Sequence, residues 1–256
     1  MLASALAPLL SCLSAVEPRR AVLQRTLPLL VAAPAQALAF ENRLPPDEIE
    51  LKYKAPRTAG PKPTDLGPRQ GNALKPCLDG KPHCFSTSRE ELDDNDLYNA
   101  DYGQTNEWLV RPFTYAKSLA EAVDDVKGLI TAYPPGQRGI DGGGFKVISE
   151  TVTASSAYFY VQFESLRRGY VDDMEFALGD GVMNVRTSSR LGYLDMGVNA
   201  KRFNFFAQRL SHISGWNTAL IVSKGHEEYF SLNRVADKDV LNEAQGIHTK
   251  TEKVKI

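Results

Sequence analysis

The chain has 256 residues, enough for one domain with a sizeable core or at most two small ones. Its 43% hydrophobic and 24% charged residues are ordinary for a globular protein, and a formal net charge of −1 gives no reason to expect nucleic acid or an anionic membrane as the main partner. No stretch after residue 40 is long and apolar enough to span a bilayer.

Residues 1–39 have a different composition. They are rich in Ala, Leu, Ser and Pro and carry Arg19, Arg20 and Arg25 against the single Glu17, so the remainder holds a net charge of −3. Arg19-Arg20 followed by Ala21-Val22-Leu23 has the pattern of a twin-arginine export signal. A short apolar run, Leu27 to Ala33, follows and is interrupted by Pro28. Ala37-Leu38-Ala39 is an A-x-A cleavage site, with Phe40 the expected first residue after it. The run is too short to be a membrane anchor, and Pro28 and Pro34 speak against a buried helix. The leading segment before the arginines holds no Lys or Arg. That order fits a bipartite plastid signal of an alga with a complex plastid, and the expected compartment is the thylakoid lumen, a bacterial periplasm being the alternative.

Residues 40–66 read as a proline-rich extended arm, because Pro45, Pro46, Pro56, Pro61 and Pro63 forbid a continuous helix. Such a segment is either a flexible linker or an arm lying along a partner or along its own domain. The globular part is expected over 67–224. Ser118 to Glu121 is a capping box, and Leu119, Ala122, Val123, Val126, Ile130 and Tyr133 recur at helical spacing until Pro134-Pro135 stops the helix. The glycine-rich stretch 136–144 lacks the spacing of a phosphate cradle and reads as a plain loop. Three strands follow. Ala157 to Glu164 alternates with Phe159, Val161 and Phe163 on one face. Tyr170 to Leu178 alternates with Asp172 as a polar exception on its apolar face. Gly179-Asp180-Gly181 signals a hairpin that returns as Val182 to Ser188. Asn199 is the expected cap of a second helix with the apolar stripe Phe203, Phe206, Ala207, Leu210 and Ile213, and Trp216 to Val222 is a further strand candidate. The order predicts an α+β fold, a small antiparallel sheet with two packed helices. Residues 225–256 read as a polar C-terminal extension. No internal repeats are present.

Four segments carry a family resemblance. They are Pro76-Cys77 through Cys84, Phe163-Glu164-Ser165, Tyr170 to Phe176 with its Asp172-Asp173-Met174-Glu175-Phe176 core, and the run Val185 to Asn199. Together they resemble the domain of unknown function 1499 (DUF1499) family, whose long run reads Arg-Ser-x-Ser-Arg-x-Gly-x-x-Asp-x-Gly-x-Asn. Thr187 stands where the family usually has Ser. The resemblance covers about 67–215 and implies a fold and a site rather than an activity. Plastid-targeted members are expected in the thylakoid, in agreement with the signal.

Cys77 and Cys84 are the cysteines left outside the leader, with six residues between them in an exported chain, and are most simply a disulfide. A redox-active pair is the sharper alternative, although the spacing is not Cys-x-x-Cys. A zinc site is disfavoured, since no second ligand pair has finger or ribbon spacing. No metal or cofactor is expected. Candidate site residues are Glu164, Asp173, Glu175, Arg186, Arg190 and Asp195. Asp173 and Glu175 share a strand face, and the hairpin returns Asn184, Arg186 and Ser188 on one face of its partner, with the register open. Arg190, Asp195 and Arg202 follow closely in sequence. A carboxylate pair could move protons or hold a cation, and Arg186 with Arg190 could fork around a small anionic ligand. Alternatively the charges neutralise one another in a salt-bridge network. Ser188 and Ser189 lack a nearby His, and no Gly-x-Ser-x-Gly elbow exists. Two functional readings follow. One is a non-enzymatic lumenal accessory or assembly protein that binds a larger photosynthetic complex through the arm and tail. The other is a small-molecule-binding protein or hydrolytic enzyme that uses the charged cluster.

Overall fold

The computed structural model describes residues 40–46, 52, 56–77, 81–89 and 106–241, which belong to one compact unit, Gln36–Ile256. The expected leader, 1–39, and the end of the chain, 242–256, lie outside the described residues.

Seven strands form one antiparallel sheet: β1 (Cys84–Ser86), β2 (Phe113–Tyr115), β3 (Gly144–Val152), β4 (Ser156–Glu164), β5 (Val171–Gly179), β6 (Val182–Ser189) and β7 (Trp216–Asn217). Their order is β3-β4-β5-β6-β2-β7, with β1 also paired to β6. The two long helices are α1 (Leu119–Thr131) and α2 (Val198–Ser211); two short ones, α3 (Glu227–Asn233) and α4 (Asp237–Val240), follow β7. The architecture is α+β, as the order of elements predicts.

The local chemistry explains the main elements. At α1 the Ser118 hydroxyl accepts from the Glu121 N–H, and the Glu121 carboxylate accepts from the Ser118 N–H, so two of the donors left over at a helix start are filled. Asp180 and Gly181 take φ of 50° and 74°, the left-handed conformation at both central positions of a tight hairpin turn whose twist matches the strands it joins. That turn fixes the β5–β6 register, with Glu175 opposite Arg186 and Asp173 opposite Ser188. Asn199 is not the cap of α2. Gly197 occupies that position, and Asp195, two residues earlier, caps the helix from outside by accepting from the N–H groups of Gly197 and Asn199.

One face of the sheet packs on the helices. Phe159, Val161 and Phe163 of β4, Met174, Phe176 and Leu178 of β5, and Met183 and Val185 of β6 meet Ala122, Val123, Val126 and Ile130 of α1 and Phe203, Phe206, Ala207 and Leu210 of α2. Each large side chain buried there contributes about 1.5–3 kcal/mol. Yet all nine residues of β5 are buried, so its other face is covered too. The cover is the proline-rich arm together with the segment that follows it, 67–74. The Thr58 N–H donates to the Arg168 carbonyl, the Gly67 N–H to Glu175 and the Leu74 N–H to Ser88, while Asn72 accepts from the Asn184 side chain. Over its described residues the arm lies along its own domain.

Three features differ from the sequence reading. The sheet has more strands, since β1 and β2 have three residues each and β3 carries a bulge between Val147 and Ser149 that breaks its alternation. Only Trp216–Asn217 of the 216–222 candidate forms a strand. And 225–241 is no extension, because Tyr229, Phe230 and Val240 sit in the core cluster, where Tyr229 packs against Phe85 at 4.5 Å between ring centroids.

Candidate functional site

The six candidate residues occupy two places. Glu164, Asp173, Glu175, Arg186 and Arg190 share the sheet face beneath the arm, whereas Asp195 lies at the start of α2.

Beneath the arm, Arg190 grips Asp173 with both arms of its fork, Nε at 2.7 Å and Nη2 at 2.6 Å. Tyr160 of β4, whose register partner is Glu175, reaches diagonally to donate to Asp173 at 2.5 Å and accepts from Arg190 and Gln162, so its hydroxyl is saturated. Burial, the hydrogen bond to Asp173 and that residue's charge push Tyr160 up to about 12. Burial opposes the charge of Arg190, but the hydrogen bonds and charge of Asp173 outweigh it and raise its pKa. A charge-assisted pair this close is held from both sides.

Glu175 is fully buried one step along β5. One carboxylate oxygen accepts from the Gly67 N–H and the Tyr158 hydroxyl, each at 2.8 Å. The other faces Arg186 Nη1 at 3.7 Å, an ion pair too long to be a hydrogen bond. Burial raises the pKa of Glu175 despite these neighbours. At the end of β4, Glu164 pairs with Arg57 of the arm. A shallow open groove lined by Lys62, Pro63, Thr64, Leu66 and Tyr160 runs between the arm and this layer.

Asp195 serves a different purpose. It caps α2, accepts from the Asn199 side chain, and takes the Tyr229 hydroxyl at 2.9 Å. Burial raises its pKa against those hydrogen bonds. It joins α2 to α3.

A further cluster on the helix-covered face escaped the sequence reading. Arg202 of α2 has no exposed surface, and its fork takes Asp141 at 2.9 and 2.5 Å, while Nη2 also reaches Asp172 at 2.9 Å and Nη1 reaches Asn199 at 2.9 Å. Tyr133 donates to Asp141 at 2.5 Å. Asp172 is the polar exception on the apolar face of β5, and Arg202 is its reason. The glycine-rich loop delivers Asp141, itself at φ 55°, into this core.

Cys77 and Cys84 form a disulfide that ties the segment following the arm to β1. The Ser86 hydroxyl donates to the Lys75 carbonyl beside it. Among the described residues no group of three or more His, Cys, Asp or Glu side chains is placed to hold a metal ion, and no helix is long and apolar enough to cross a membrane.

The site thus defines an α+β domain whose sheet carries a charged layer under an N-terminal strap. The family model described as protein of unknown function, DUF1499, matches residues 73–210, and the chain belongs to that family. No curated protein and no solved structure matches it.

Proposed function

We propose that this chain is a non-enzymatic accessory or assembly protein of the thylakoid lumen that binds a larger, photosynthetic complex. One observation supports the non-enzymatic part above others: the charged residues under the arm face one another rather than an open cleft, as in the Arg190 fork on Asp173. A mechanism that moved protons would need a carboxylate within reach of a substrate. The compartment is argued from the twin-arginine and A-x-A patterns in residues 1–39, and the disulfide suits an oxidising one. The algal plastid subtype of the family rests on the same leader. Of the two segments expected to grip a complex, the arm is engaged on its own sheet, and residues 242–256 lie outside the described residues.

Native fractionation of thylakoids tests this reading. Co-migration with a large complex is the expected result, and recovery only as a free monomer overturns it. Sequencing the N-terminus of the protein from its source should give a start near Phe40, and a start at Met1 or Leu2 would end the export reading. A second reading, binding of a small anionic molecule, draws on the groove over Tyr160 with Lys62 at its rim.

A further inference from the structure

The buried cluster on the helix-covered face has one cation for two carboxylates. Arg202 cannot lose its proton in a protein, so with both Asp141 and Asp172 ionised the site carries an uncompensated negative charge away from water. We propose that Asp141, Arg202 and Asp172 form a proton-operated latch, in which a proton held by Asp172 makes the cluster neutral and fastens α2 and the 136–143 loop to the sheet, and its loss at neutral pH loosens them.

The geometry names Asp172 as the proton's seat. Asp141 receives both arms of the guanidinium and the Tyr133 hydroxyl, three donors in all. Asp172 receives a single guanidinium N–H and a hydrogen bond from Ser189. The groups that face it are Arg202 from α2, Asp141 from the loop and, through Asp141, Tyr133 from the end of α1. The flanking strands add the uncharged Ser189 from β6 and Phe163 from β4, whose ring lies 4.7 Å from the guanidinium carbon of Arg202. The Asp172 side chain keeps 12% of its surface exposed, which gives solvent protons a way in, whereas Asp141 keeps 2%.

Burial pushes Asp172 up to about 6; Arg202 pulls the other way, and the charge of Asp141 adds to the effect of burial. In the unfolded chain the group returns to an ordinary 3.8. Between those values the folded protein binds a proton that the unfolded chain does not. The stability contributed by Asp172 is therefore full below about 4 and is lost as the pH rises through about 6.

The test compares the melting temperatures of the full chain and its Asp172→Asn variant, which mimics the protonated form. At about pH 7.5 the variant should melt roughly 5 °C or more above wild type, and the gap should close to about 1 °C at about pH 4. In parallel, carboxyl-carbon NMR of the wild type should show Asp172 titrating near pH 6, and in Asp141→Asn, where one cation meets one carboxylate, its midpoint should fall below about 4.5. A gap that does not change with pH, or a wild-type midpoint below about 4.5, overturns the proposal. Should the variants fail to fold, the wild-type titration alone decides it.

Discussion

A guanidinium taken wholly out of water is tolerated only when its donors are filled. Arg202 fills them with Asp141, Asp172 and Asn199. Arg202→Met would leave two buried carboxylates without their cation, a loss of about 3–5 kcal/mol. Against a typical total of about 5–15 kcal/mol that unfolds much of the population, and a denaturant titration would read it as a large drop in midpoint. Lys201→Ala, one residue away and half-exposed, should stay within about 0.5 kcal/mol of wild type. Under the arm, Arg190→Ala should cost more than Arg186→Ala, because Arg190 holds Asp173 through two short bonds while Arg186 stands 3.7 Å from Glu175. Arg186→Ala and Glu175→Ala should still each lower the melting temperature, since the partner left behind is buried. Unchanged or raised melting temperatures would instead make the layer a ligand site, as expected where function is kept at the expense of stability. At this scale the sequence was half legible. Strand alternation exposed Asp172 as an anomaly and put Asp173 beside Glu175. Its answer, Arg202, lies 30 residues away, and Asp141 lies 61 from Arg202, distances over which a single sequence carries no pairing signal.

Among the elements, α1 was the most legible, because its capping box and apolar spacing are local. Ser118→Ala should cost about 1 kcal/mol, seen as a lowered urea midpoint. The disulfide was legible from the spacing of the pair and the export pattern in residues 1–39. It closes a ring of sequence separation 7, and breaking it by Cys77→Ser should cost about 2.5 kcal/mol by loop entropy. A non-reduced digest should show Cys77 and Cys84 linked. The start of α2 was misread because Asn199 has the chemistry of a cap. Its amide is buried instead, donating to the His83 carbonyl, Ser189 and Asp195, while the capping carboxylate sits four residues upstream. Strand β3 was missed for a physical reason. Its bulge shifts Phe145 and Val147 out of phase with Glu150 and Val152, so no single alternation runs through the segment.

For the whole molecule, the arm is what the sequence left open and the structure closes. Proline count alone cannot tell a linker from a strap, since both are extended. The strap is recognised only by what it covers: Glu164 through Arg57, and the Leu166 carbonyl through Arg43 and Arg57. A chain that begins at Gly67 would leave Glu164 without its arginine and bare the Asp173 layer. It should therefore unfold at a lower urea concentration than one beginning at Phe40, and be cut faster by protease. The C-terminal segment 225–241 was hidden by its thin apolar content, yet Tyr229 joins the α2 cap to the core beside Phe85, and Asn233 accepts from the N–H groups of Asp195 and Met196. The bulge in β3 bears on how copies of the molecule behave in a crowd. β3 is an outer strand, and an outer strand nine residues long is an open template for another chain. Two copies meeting head to tail about Ile148 would set Lys146 of each against Glu150 of the other by position. The bulge turns Lys146 to the face of Gln162 and Glu150 to the face of Phe159, where Lys127 already holds it. The charges cannot meet and the bent strand offers no straight edge. Excising Ile148 should straighten that edge, and light scattering should then grow with concentration where the natural chain stays monodisperse.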